Sequence, residues 1–332
     1  MTLVGVEVRR LWSRRLFRLL VLGLFATLIV IAVVNGVRSN RDLTAAHAKA
    51  ARLAQQNAAP PPPLVAQCNG NVQVTPEPTG GPEFNGPLGG PCVWIAPSAQ
   101  DFYSDPRFSF AENAVNLLIT AVTLAAVIGF VVGAGFVGAE WTNGTFPLLL
   151  TWEPRRIRVL VAKALSAIAS FVAVAVVAVV VAVGSAWLIA ATRGTTSGTT
   201  ALIWHHVTYD SLRGLILVAL LVGAGVAIAG VARHTSAVLA GAVGYIVIFE
   251  LIVRRLHWQW QRWLLLENAG ALMSGKSQIF PVHEGPKGLF VNTVFTLHAD
   301  RAALYLCILF VVVMLAWALS LTRRDVDESG RG

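Results

Sequence analysis

Six apolar runs, near residues 16–37, 113–137, 159–191, 212–232, 235–253 and 302–321, constrain the fold of this chain more than any other feature. Crossing ~30 Å of hydrocarbon takes roughly 20 helical residues, so each run is long enough to span a bilayer. In lipid the backbone must satisfy its own hydrogen bonds, which for single apolar runs means helices. Hydrophobic residues make up 55% of the 332 positions and charged residues only 13%, more apolar surface than a water-soluble domain can hide. The expected fold is therefore an all-α integral membrane protein, a single transmembrane domain over 1–332 with six spanning helices. The first run lacks an A-x-A-like cleavage site and ends at Val37-Arg38-Ser39-Asn40, so it is read as a retained anchor.

Charge sets the expected topology. Arg9, Arg10, Arg14, Arg15 and Arg18 precede the first run, which puts the N-terminus in the cytosol. Alternation then makes 138–158, 233–234 and 322–332 cytosolic, the C-terminus included, and 38–112, 193–211 and 254–301 external. Lys and Arg divide about evenly between the sides, but the cytosolic ones crowd into far shorter segments, which is what the orientation rule weighs. The third run is long for one crossing, roughly 50 Å at 1.5 Å per residue, so its first turns around Lys163 are expected in the cytosol. The net charge of +9 does not mark a nucleic-acid binder, because the basic residues cluster at helix ends rather than on one soluble face.

The loops carry their own signals. Cys68 and Cys92 share the first external loop, and in an oxidising compartment a disulfide is expected between them, with a loop-closure contribution of roughly 3–4 kcal/mol. Cys307 lies in the last run and reads as a small apolar residue. Residues 38–58 are Ala-rich, so the first span is expected to continue as a helix until Pro60-Pro61-Pro62-Pro63. Between spans five and six, Trp258, Trp260 and Trp263 alternate with polar residues as at a membrane–water interface. The short runs Leu264–Leu272 and Leu289–Leu297 are expected as interfacial or re-entrant helices.

Motifs of catalysis are weak. Gly270-Ala271-Leu272-Met273-Ser274-Gly275-Lys276-Ser277 matches the P-loop pattern letter for letter, yet no strand precedes it and no βαβ context surrounds it, so the match is rejected. There is no G-x-S-x-G and no H-E-x-x-H, and His205-His206 lacks a third metal ligand at usable spacing. No catalytic, metal or cofactor residue is assigned. Glu250 lies inside an apolar run and is a functional candidate by default. Arg254 follows one helical turn later, and a structural Glu250–Arg254 pair is the expected reading. Gly129, Gly133, Gly135 and Gly138 in the second run, with Gly223, Gly225 and Gly230 in the fourth, invite close helix packing within one subunit, a subunit interface being the alternative.

The stretch 138–163 is the richest. Trp141, Phe146, Leu149, Leu150 and Trp152 sit among polar residues and are closed by Glu153-Pro154-Arg155-Arg156, a pattern that lies along a membrane surface and presents groups to a partner. Here the chain resembles the permease subunits of ABC-2 type transporters. The resemblance rests on Gly138-Ala139-Glu140-Trp141, Gly144-Thr145, Glu153–Arg156, Arg158-Val159 and Ala162-Lys163, on the amphipathic start Val6–Leu16, and on Asp105-Pro106-Arg107-Phe108. It implies an interfacial N-terminal helix, re-entrant helices before the sixth span, and half of a homo- or heterodimeric channel in a bacterial cell membrane. Two copies of a separate ATPase would dock on a coupling helix within 141–156, contacted by Glu140, Trp141, Thr145, Trp152, Glu153, Arg155 and Arg156, and drive export. The chain itself would be no enzyme. Two rival readings stay open, an ion-gradient secondary transporter and a non-transporting scaffold or sensor built around 38–112.

Overall fold

The computed structural model describes residues 3–40, 42–60, 62, 65, 72–76, 93–152, 155–279, 282–284, 290–292 and 295–323. Six of its helices are long and apolar enough to cross a membrane: α2 (Arg15–Arg38), α4 (Phe110–Thr142), α6 (Arg156–Arg193), α7 (Ala201–Ala232), α8 (Thr235–Leu256) and α10 (Ala299–Arg323). The protein is an all-α multi-pass membrane protein. Shorter helices are α1 (Leu3–Ser13), α3 (Leu43–Gln56), α5 (Thr145–Trp152) and α9 (Leu265–Ser274). Each span overruns its apolar run by a turn or so, because helix continues into polar residues at the ends. The fourth differs most: α7 begins at Ala201 rather than near 212, which brings Asp210 inside a helix, buried beside Arg213 at 3.4 Å.

The chain divides into two compact units, one of Met1–Val33, Ala111–Leu188 and Ser197–Gly332, the other of Val34–Phe110 and Ile189–Thr196. In the larger unit α4 and α7 meet glycine to backbone. A Cβ on Gly133 would lie 2.3 Å from the Val222 carbonyl oxygen, and one on Gly225 would lie 2.3 Å from that of Phe130. No side chain fits such an approach, so van der Waals contact between bare backbones holds the pair in lipid. The glycines thus pack within one chain. One turn from the end of α7, Gly230 makes room for the fully buried indole of Trp317 on α10, whose Nε1 would sit 2.1 Å from an added Cβ. Around these contacts Phe17, Leu24, Leu118, Phe136, Phe171 and Val226 fill the core.

The connection from α8 to α10 departs from expectation. The C-terminal half of α8 is π-helical over Ile246–Val253, a 3₁₀ segment covers Trp258–Trp263, and α9 follows as a short helix. The second short helix expected at 289–297 is not formed. Phe290–Asn292 and Phe295–His298 are strands, β5 and β6, pairing antiparallel with β4 (Val282–Glu284) and β3 (Lys276–Ile279). The reason is compositional: Phe290-Val291-Asn292 and Phe295-Thr296-Leu297 are rich in aromatic and β-branched residues, which favour a pleated surface. The same geometry disposes of the P-loop likeness. Residues 270–274 end a helix and 276–279 form a strand, the reverse of the strand-to-helix order that cradles phosphate.

In the smaller unit the first span does not run on. It stops at Arg38, and α3 starts anew where the Asp42 carboxylate caps the Thr44 amide at 3.0 Å. Ser39 ties the approach to α4, accepting from the Phe108 amide at 3.0 Å and donating to the Arg193 carbonyl at 2.9 Å. β1 (Gln73–Pro76) and β2 (Val93–Ala96) pair in parallel. The proposed cysteine pair, Cys68 and Cys92, lies outside the described residues.

Candidate functional site

Five charged side chains meet where α1, α4 and α6 converge. On α1 the residues one turn apart, Glu7 and Leu11, are the buried ones, while Arg9, Arg10 and Trp12 face out. Lys163, two turns into α6, is 0% exposed, buried within the protein. Its Nζ lies 3.0 Å from Glu7 Oε2 and 2.6 Å from Glu140 Oε2, the latter contact being ionic rather than aligned as a hydrogen bond. Arg14, in the break between α1 and α2, holds the other Glu140 oxygen at 2.6 Å and donates to the carbonyls of Gly135 at 3.3 Å and Phe136 at 3.0 Å. Burial pulls the Arg14 guanidinium below its ordinary value, with Glu140 opposing. Arg10 stands farther off, 3.6 Å from Glu7 and 3.9 Å from Glu140.

Three cations thus serve two buried carboxylates. Such a cluster is held by its completeness, since leaving one charge unpaired costs about 3–5 kcal/mol. The Phe136 ring supports both Arg14 and Lys163, at 4.9 and 5.0 Å. A cavity of about 380 Å³ opens beside Arg10, Arg14, Glu140, Asn143 and Thr145.

The surface segment is built on this cluster. Gly144, at φ +67°, makes the left-handed turn that separates α4 from α5. On α5, Phe146 is fully buried and Leu150 nearly so, whereas Leu148 is 60% exposed and Thr151 is open. Trp141 stacks on Phe146 at 4.6 Å, and the Arg233 guanidinium lies 4.6 Å from the Trp141 ring. Thr145 is exposed and donates to the Glu140 carbonyl at 3.3 Å. Arg156 is half-buried, donating to the Leu321 carbonyl at the end of α10, and Arg155 is exposed, its carbonyl capping α6 through Arg158 at 2.9 Å. Glu153 and the Trp152 side chain lie outside the described residues. Glu140 and Trp141, taken from sequence as contacts for a partner, are therefore turned into the protein. What faces outward is Leu148, Thr151, Thr145 and Arg155.

The expected Glu250–Arg254 pair is not made. Arg254 binds Glu267 of α9 instead. Glu250, 2% exposed, accepts from the Leu266 amide at 2.9 Å and the Tyr245 hydroxyl at 3.2 Å, and its second oxygen has no hydrogen-bond partner. The π-helical turn is the cause: its wider winding brings residues five apart, Tyr245 and Glu250, onto one face. Tyr245 also accepts from the Leu265 amide at 3.0 Å, so α8 grips the first turn of α9 at consecutive amides.

Glu7, Arg14, Lys163 and Arg233 were not assigned to a functional site from sequence. A charged residue on the buried stripe of an amphipathic helix marks Glu7, and a lysine inside an apolar run marks Lys163, but nothing local says that the two meet. Among the described residues no three His, Cys, Asp or Glu side chains converge as a metal site would require. A search of curated proteins returns no match. A family described as ABC-2 family transporter protein matches residues 1–267, four-fifths of the chain. The match takes in the charge cluster, α5 and five of the six spans, and the chain belongs to the ABC-2 family of transporter proteins.

Proposed function

We propose that the protein is the permease subunit of an ATP-driven exporter in a bacterial plasma membrane, with both termini in the cytosol and α5 as the coupling helix for a separate ATPase. Family membership makes it a transport component that associates with ABC ATPases. Export, two permease and two ATPase copies, and docking on α5 are the further reading. The observation that carries it is the two-sidedness of α5. Its inner face is seated on buried aromatic and charged groups, while Leu148 and Thr151 are offered to the outside at the end of the bundle richest in arginine. A short helix so rigidly mounted conveys a push on its outer face into α4, α1 and α6. The test replaces what is exposed: Leu148→Asp and Arg155→Ala should leave the permease inserted and folded but sharply reduce co-purification of the ATPase. Undiminished co-purification with both changes present removes α5 as the docking element.

A further inference from the structure

A chain of contacts leads from α5 to the far end of the bundle. Arg233, which closes α7 just before α8 begins, is the one non-glycine residue with positive φ among those described, at +59°. An arginine in the left-handed region is strained and persists only when the surroundings demand it. Here the guanidinium lies over Trp141, which stacks on Phe146 of α5. One turn earlier on α4, Gly138 is pressed against the first residue of α8, where an added Cβ would meet the Thr235 amide nitrogen at 2.7 Å. The start of α8 is thereby fixed to the root of α5. Its other end grips α9 through Tyr245, Glu250 and Arg254. Between these attachments α8 is the least packed span, with 11% of its most apolar stretch buried. It is attached near its ends and sparsely packed along its length within this chain.

We infer that α8 is a transmission rod, with Arg233 positioning its near end on Trp141 and Glu250 positioning its far end on α9, so that displacement of α5 is delivered to α9 on the opposite side of the membrane. This rests on the reading of α5 as the coupling helix. The rod acts by translation or rotation of one helix, a movement of the 1–2 Å kind that packed bundles accommodate. The π-helical segment is the compliant part, because its wider turns can convert to α-helix with a change of register. Glu250 and Tyr245 lie on the face that such a change would rotate, so the α9 amides they hold would feel it first.

The test is amide hydrogen exchange on the reconstituted complex with its co-purifying ATPase, compared without nucleotide and trapped with ATP and vanadate. In the unmodified protein, trapping should alter exchange both at α5 and at residues 265–274. Arg233→Gly removes the guanidinium yet keeps a residue at home in the left-handed turn. It should retain ATP hydrolysis and the response at α5 but lose the response at 265–274. Glu250→Ala, which removes the acceptor that holds the Leu266 amide at the opposite end, should lose the same response while α8 itself still responds. The rod is overturned if trapping changes α5 but leaves 265–274 unchanged in the unmodified protein, or if both variants keep the full response at 265–274. If α5 itself fails to respond in the unmodified complex, the coupling-helix reading has failed, which is a separate result.

Discussion

The two ends of the larger unit solve the same problem, anchoring a short helix to the spans, with different chemistry. At the α5 end, ionic contacts of 2.6–3.0 Å from Lys163 and Arg14 bind α1, α4 and α6 around two carboxylates. At the α9 end, Glu250 reaches the Leu266 amide and the Tyr245 hydroxyl with one oxygen and leaves its other oxygen empty-handed. A full set of paired charges in a low-dielectric site is rigid, because any displacement leaves a charge exposed to apolar surroundings. A carboxylate bonded to neutral groups loses far less by letting go. The α5 end is built as a mount and the α9 end as a latch.

The hardest blow to this contrast would come from Lys163. Lys163→Met confronts Glu7 with Glu140 and should destabilise the protein by about 3–5 kcal/mol in detergent unfolding. Adding Glu7→Gln to it, which keeps the Arg14–Glu140 pair, should recover most of that loss, and failure to recover would mean that packing rather than charge secures the mount. Gly230→Ala tests a lock made of shape alone. Its methyl group must displace the Trp317 indole, at a cost of about 1–3 kcal/mol by the same assay. At the latch, Glu250→Gln retains an acceptor for the Leu266 amide and should cost only about 0.5–1.5 kcal/mol, seen as faster exchange at α9 and little change elsewhere. A global loss as large as that of Lys163→Met would erase the distinction between the ends.

The smallest effect belongs to the other unit. Asp105 is held below the ordinary carboxylate range chiefly by hydrogen bonding from Arg107, which lies 2.6 Å away. A depressed value contributes stability that is present above the unfolded pKa of about 3.9 and is lost as pH falls through the folded value. The pair is a third exposed, so solvent screening holds Asp105→Asn to about 0–1 kcal/mol at neutral pH. The difference between variant and parent should shrink in an acid titration of unfolding below about pH 4.

The architecture was legible in sequence because a span needs only length and apolarity, both local properties. Small-residue spacing likewise announced close helix packing within one subunit, though not that α4 and α7 are the partners. The charge cluster was not legible, since Glu7 and Lys163 are separated by 156 positions and no local pattern pairs them. Glu250 and Arg254 misled in the opposite way. Their spacing suits an α-helix, but the local winding is π and Glu267 offers Arg254 a carboxylate from another helix. The run 289–297 was ambiguous in kind, for a short apolar segment reads equally as helix or strand until its partners are known.

The seating of Trp317 against Gly230 bears on how the protein is made. The indole comes from the sixth span and the slot that receives it is on the fourth, so the slot is synthesised before the residue that fills it. Until α10 arrives, α7 carries an unfilled notch facing lipid or the insertion machinery. A chain that stops short of residue 317 can thread five spans and still lack the wedge that closes the bundle. The fit of α10 against α7 is therefore an inspection step built into the fold, in which the sixth span either seats its indole or leaves a gap.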